Sequence, residues 1–163
     1  MKIKKILNII LLIIVIFTIF MFSNQNSKDS GKISKDFGVQ VVTTIDNITN
    51  TKIEGNKSKE QYVKKNLYFI RKFAHISEYI ILSIVLLGLI SYYKKIDIKW
   101  LIISIVICII FASIDEFHQL FISGRTGKAI DVFIDTIGII IGSLIYYIVY
   151  INGKGKKHIK KKD

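Results

Sequence analysis

The chain has 163 residues, a length that fits one domain rather than two. Its 51% hydrophobic content excludes a disordered basic protein, and its single cysteine excludes an internal disulfide and any CxxC metal or redox motif. The net charge of +12 comes from 22 lysines and two arginines, Arg71 and Arg125, against 12 acids. These charges sit between and beyond long apolar runs, as in a membrane protein, and nucleic acid is not an expected partner.

Crossing a bilayer takes about 20 apolar residues, with about 17 as the short limit. Four runs meet that need, at 6–22, 70–93, 100–121 and 130–151. Nothing in them alternates, so their Ile and Val content does not argue for strands. The expected fold is all-α: an integral membrane protein with four transmembrane helices in a compact bundle, forming one domain over 1–163. The first run has the basic lead of a signal peptide. Its apolar core is longer than the usual stretch of about 7–15 residues, and no small-x-small site follows Phe22, so a retained anchor is expected.

Residues 23–65 form a polar external loop in this reading. Within it Ile33, Phe37, Val41, Ile45 and Ile48 recur at three- or four-residue intervals, the spacing of an amphipathic helix on the membrane surface or over the bundle mouth. Residues 49–60 read as loop. Residues 152–163, with six lysines, read as an unfolded basic tail along anionic lipid. Four spans place both termini on one side. Basic residues divide twelve to twelve between the two sides, so the count decides nothing. Their density at the leader, at Lys94, Lys95 and Lys99, and in the tail favours both termini in the cytoplasm of a multi-pass cell-membrane protein.

The ionisable residues inside the runs share one depth. The second run carries Arg71, Lys72, His75 and Glu78 at its start. The third carries Asp115, Glu116, His118 and Gln119 at its end, and the fourth carries Asp131 and Asp135 at its start. Successive spans run in opposite directions, so all three groups meet one membrane face. Charge at such depth is costly and marks functional candidates. Helical spacing puts Arg71, His75 and Glu78 on one stripe, and Asp115 on a face with His118 and Gln119. Asp131 and Asp135 continue into Gly138 and Gly142, whose spacing permits close helix contact below the acids. Arg125 follows in the third loop.

Several chemistries fit. Arg71, Lys72, Gln119, Arg125, Asp131 and Asp135 are candidates for binding a lipid or cell-wall precursor headgroup, with arginine suited to bidentate contact with phosphate or carboxylate. His75, Glu78, Asp115, Glu116, His118 and Arg125 are candidates for catalysis on a lipid-linked substrate. Among these, His75, Glu78, Asp115 and His118 have the ligand types for a divalent metal such as Zn, Mn or Fe(II). Their spacing matches no zincin motif. A proton- or ion-coupled transporter is a third reading, weakened because the charges stay at one face. Cys108, mid-span, reads as packing.

The motifs resemble the VanZ-like family, named after a teicoplanin-resistance accessory membrane protein. Phe22-Ser-Asn-Gln25 is similar to that family's Phe-Ser-x-Gln. Arg71-Lys-Phe-Ala-His75-Ile-Ser-Glu78-Tyr79 is similar to its second motif. Asp115-Glu-Phe-His-Gln119-Leu-Phe121, with Gly124-Arg125, is similar to its third, and Asp131-Val-Phe-Ile-Asp135-Thr-Ile-Gly138 with Gly142 to its fourth. The resemblance spans about residues 6–150. Ser123 stands where the family commonly has Pro, and Asp135 where it commonly has Asn. The resemblance implies a cell-envelope role linked to glycopeptide resistance in the family's named member; membrane lipids and a lipid-linked cell-wall precursor or glycopeptide-related ligand are the expected partners of this chain.

Overall fold

The computed structural model describes residues 2–49, 56–125 and 127–159. Six helices follow in chain order: α1 (Lys2–Ser23), α2 (Ser27–Thr49), α3 (Asn56–Lys65), α4 (Leu67–Ile90), α5 (Ile98–Gln119) and α6 (Ala129–Ile159). Four carry segments long and apolar enough to cross a membrane: Ile3–Ser23, Leu67–Ile90, Ile98–Gln119 and Ala129–Gly153. They pack together, with α4 against α6 as the most extensive pairing, α5 against α6, and α1 along α4. Large apolar side chains such as Phe17, Phe73, Ile110 and Val149 remain exposed on their flanks.

The spans shift by a few residues from the expected boundaries, for local reasons. α4 starts at Leu67 and stops at Ile90, where the Ser91 N–H donates to the Leu87 carbonyl and the Ser91 hydroxyl to that of Gly88. α5 starts early because Asp97 caps it, its carboxylate accepting the Trp100 N–H at 3.0 Å. Its last turn tightens, with the N–H groups of Leu120 and Phe121 donating to Phe117 and His118, so Leu120 and Phe121 fall outside the helix. Gly124 then takes φ 73°, which only glycine adopts without strain.

Hydrocarbon gives apolar side chains no reason to leave lipid, so close packing must hold these helices together. Gly138 and Gly142 do this for α6. A Cβ at Gly138 would sit 2.5 Å from the Ile76 carbonyl oxygen, and one at Gly142 would collide with the Ile80 carbonyl and the Ser83 hydroxyl. Ser83, Ser104 and Ser143 are fully buried among the spans. Cys108 is buried in an apolar cluster with Ile19, Tyr79, Leu82, Ala112 and Ile139, as a packing residue. At the far end Leu87, Ile96 and Leu101 form a second cluster, and the Tyr150 hydroxyl accepts the Ile96 N–H.

The segment between the first two spans is largely helical. α2 runs over 27–49, with Ile33, Phe37, Val41, Ile45 and Ile48 exposed along it. Its other side meets α3 and α4, and Gly38 lies against Val63 and Ile70. The expected loop over 49–60 needs correction. Residues 50–55 lie outside the described residues, but Thr49 belongs to α2 and helix resumes at Asn56. Burial of Val63 and an ion pair between Lys35 and Glu60 at 2.7 Å fix α3 against α2, contacts that composition does not reveal. The tail differs too. It continues α6 as helix through Ile159, across Gly153 and Gly155; residues 160–163 lie outside the described residues.

Candidate functional site

The start of α4, the end of α5, the start of α6 and the loop between α5 and α6 meet at one end of the bundle, beside the start of α2. They enclose a cavity of about 280 Å³. Arg71, Lys72, Gln119, Arg125 and Asp131, all headgroup candidates from the sequence, line it together with His75. Asp135, Glu78, Asp115, Glu116 and His118 are not part of its wall.

Arg125 organises this end. Its Nε donates to the Gln25 carbonyl at 2.9 Å, and its Nη2 to the Phe22 carbonyl at 2.9 Å. Its Nη1 donates to Gln119 Oε1 at 3.1 Å, and Gln119 Nε2 in turn donates to Asp115 Oδ2 at 3.1 Å. The planar fork thus ties the end of α1 to the end of α5, a pattern that a lysine cannot reproduce. Burial draws the Arg125 pKa below the ordinary arginine value, with nearby Arg71 acting in the same direction. Asp115, Glu116 and Glu78 oppose that shift, and the group stays cationic.

Lys72 pairs with Asp131 at 2.5 Å, joining α4 to α6 at the cavity wall. The His75 and Glu78 side chains approach to 3.6 Å, one turn apart. Glu116 Oε2 accepts the Lys128 N–H at 3.1 Å, and Gly127 is pressed against the Glu116 carbonyl, so Glu116 braces the loop leading into α6. His118 turns toward α1, its ring 5.0 Å from that of Phe20. Among the described residues, no group of three or more His, Cys, Asp or Glu side chains is placed to hold a metal ion.

Asp135 is buried to 1% exposure, and its Oδ2 finds no hydrogen-bond partner among the described residues. A buried carboxylate with an unsatisfied oxygen is costly. Asp135→Asn keeps the shape and removes the charge. It is expected to leave the melting temperature of the detergent-purified protein unchanged or raised. A clear fall in thermal melting would show that the carboxylate is held by a counter-charge.

Sequence reasoning missed several contributors. Ser23, fully buried at the end of α1, neighbours Asp115. Phe22 and Gln25 act through their carbonyls. Gly31 of α2 lies against the Arg71 guanidinium, where a Cβ would come within 2.8 Å of Nη2. The Phe22-Ser-Asn-Gln25 motif was the available signal for the first three; the apolar spacing from Ile33 to Ile48 pointed to α2, but nothing marked the contact of Gly31 with Arg71.

Fold and site define a multi-span α-helical membrane protein with a basic pocket at one end of its bundle. The chain belongs to the VanZ/LLP1 family, whose sequence profile matches residues 8–150. Comparison with curated proteins gives no match, and comparison with solved structures gives none.

Proposed function

We propose that this VanZ-family protein binds the anionic headgroup of a lipid or lipid-linked cell-wall precursor at the outer face of the cell membrane, and thereby contributes to tolerance of the glycopeptide teicoplanin. One observation carries the reading: Arg71, Lys72, Arg125 and Lys128 line a single cavity whose wall holds one carboxylate among the described residues, Asp131. Arg71 and Arg125 lie close enough to act on each other's charge. Two like charges around one space are relieved by an anion between them, and guanidinium groups suit phosphate or carboxylate oxygens. Outside that wall, Asp115 is held by Gln119 and Glu116 by the loop. Deleting the chain from its host is expected to lower teicoplanin tolerance. Restoring the wild-type protein should recover it, and Arg71→Gln/Lys128→Gln, matched for membrane expression, should not. Equal tolerance in all strains would sink the role.

The exposed stripe of α2 fits an interfacial helix, with Ile33, Phe37, Val41, Ile45 and Ile48 in the lipid boundary. Both termini lie in the cytoplasm in this reading, from the basic density of the leader, the short second loop and the tail. In a Cys108→Ala background an impermeant thiol reagent should label Lys32→Cys and spare Asn152→Cys. The reverse labelling would invert the protein and leave the pocket as it is.

A further inference from the structure

A second cavity of about 230 Å³ adjoins the basic one. Ser30, Arg71, His75 and Arg125 line both. The wall of the second is mainly apolar: Phe22 from α1, Ile33 and Phe37 from α2, Ile70 and Ala74 from α4. Phe22, Ile33, Phe37 and Ala74 remain exposed at its rim, so it opens on the flank of the bundle where α1, α2 and α4 meet. The two guanidinium groups stand at the junction, with charge on one side and hydrocarbon on the other.

We infer that the paired cavities form one bipartite site for an anionic lipid, whose phosphate sits between Arg71 and Arg125 while the first segment of its chain lies in the apolar cleft between α2 and α4. This rests on the headgroup reading and adds to it the place where the lipid's chain is held. A soluble phosphate has nothing to place beside Phe37, Ile70 and Ala74. A lipid does, and without the cleft its phosphate could not reach the guanidinium groups unless its chain were drawn across polar surface. The chain comes from hydrocarbon, so the cleft contributes packing and a path rather than transfer from water. α2 supplies one wall, which gives the segment between the first two spans a part in ligand selection.

The test uses the full chain in detergent, with dioleoyl phosphatidic acid and water-soluble glycerol 3-phosphate as probes in native mass spectrometry. Wild type is expected to hold phosphatidic acid more tightly than glycerol 3-phosphate. Ala74→Phe, which fills the cleft from α4, should weaken phosphatidic acid by about tenfold, the scale of an overpacked contact, and change glycerol 3-phosphate by less than about twofold. Ser34→Phe fills the cleft from α2, outside the spans, and should give the same split even if Ala74→Phe misfolds. Arg71→Gln/Lys128→Gln should weaken both probes. If the cleft variants bind phosphatidic acid like wild type, or wild type binds both probes equally, the bipartite site is overturned and the headgroup reading stands. If wild type binds neither probe, both readings fall together.

Discussion

Replacing Arg125 with Ala is expected to loosen the whole polar end of the bundle. Three hydrogen bonds disappear at once, to the carbonyls of Phe22 and Gln25 and to Gln119. Hydrogen bonds from charged donors are each worth about 1.5–3 kcal/mol; two of these are partly buried and the one to Phe22 is exposed, so a total loss of about 2–4 kcal/mol is the reasonable scale. Gln119 then loses the partner that orients it toward Asp115. Arg125→Lys keeps the charge but cannot serve three acceptors in one plane, so most of the loss should persist. Thermal melting in detergent reads the effect. A lysine variant as stable as wild type would show that charge, not the fork, holds this end together.

A comparable loss is expected at the opposite kind of residue, one with no side chain. Gly138→Ala puts a Cβ 2.5 Å from the Ile76 carbonyl oxygen, and backbone cannot swing aside as a flexible side chain can. α6 must move away from α4. Overpacking usually costs about 1–3 kcal/mol, and a backbone-to-backbone clash belongs at the top of that range. Gly142→Leu should be worse, because it meets both Ile80 and Ser83. The damage should also reach the pocket, since α4 carries Lys72 and α6 carries its partner Asp131. Melting temperature and phosphatidic acid binding should fall together. A Gly138→Ala protein with wild-type melting would show that the two helices have slack that the close contact does not suggest.

Much of this was legible before any coordinates. The four spans follow from run length. The gathering of polar residues follows from antiparallel order and helical rise alone, and six candidates from that argument line the cavity. Gly138 and Gly142 were legible because small residues four apart have few other uses in a lipid-facing helix. The illegible parts share a cause: they depend on main-chain groups or on distant packing. The Phe22-Ser-Asn-Gln25 motif singles out these residues, but nothing in it marks the carbonyls of Phe22 and Gln25 as acceptors for a residue in the third loop. Glu116 looked like a charge for chemistry, and its acceptor role toward the Lys128 N–H could not be seen from side chains. His118 shares a helix with the cluster, yet it turns to Phe20 because α1 passes there. α3 has too few apolar residues to announce itself and depends on the burial of Val63.

The Arg125 fork also sets a timetable. Its two carbonyl acceptors lie 100 and 103 residues earlier in the chain. Ribosomes add about 5–20 residues per second, so the end of α1 waits roughly 5–20 s after its own synthesis before its guanidinium partner exists. During that interval the Gln25 carbonyl lacks its guanidinium donor, while the Phe22 carbonyl keeps the Gln25 N–H of its own turn. A chain not yet extended to residue 125 can hold α1 by its packing along α4 and α5, but its end lacks the tie to the loop between α5 and α6.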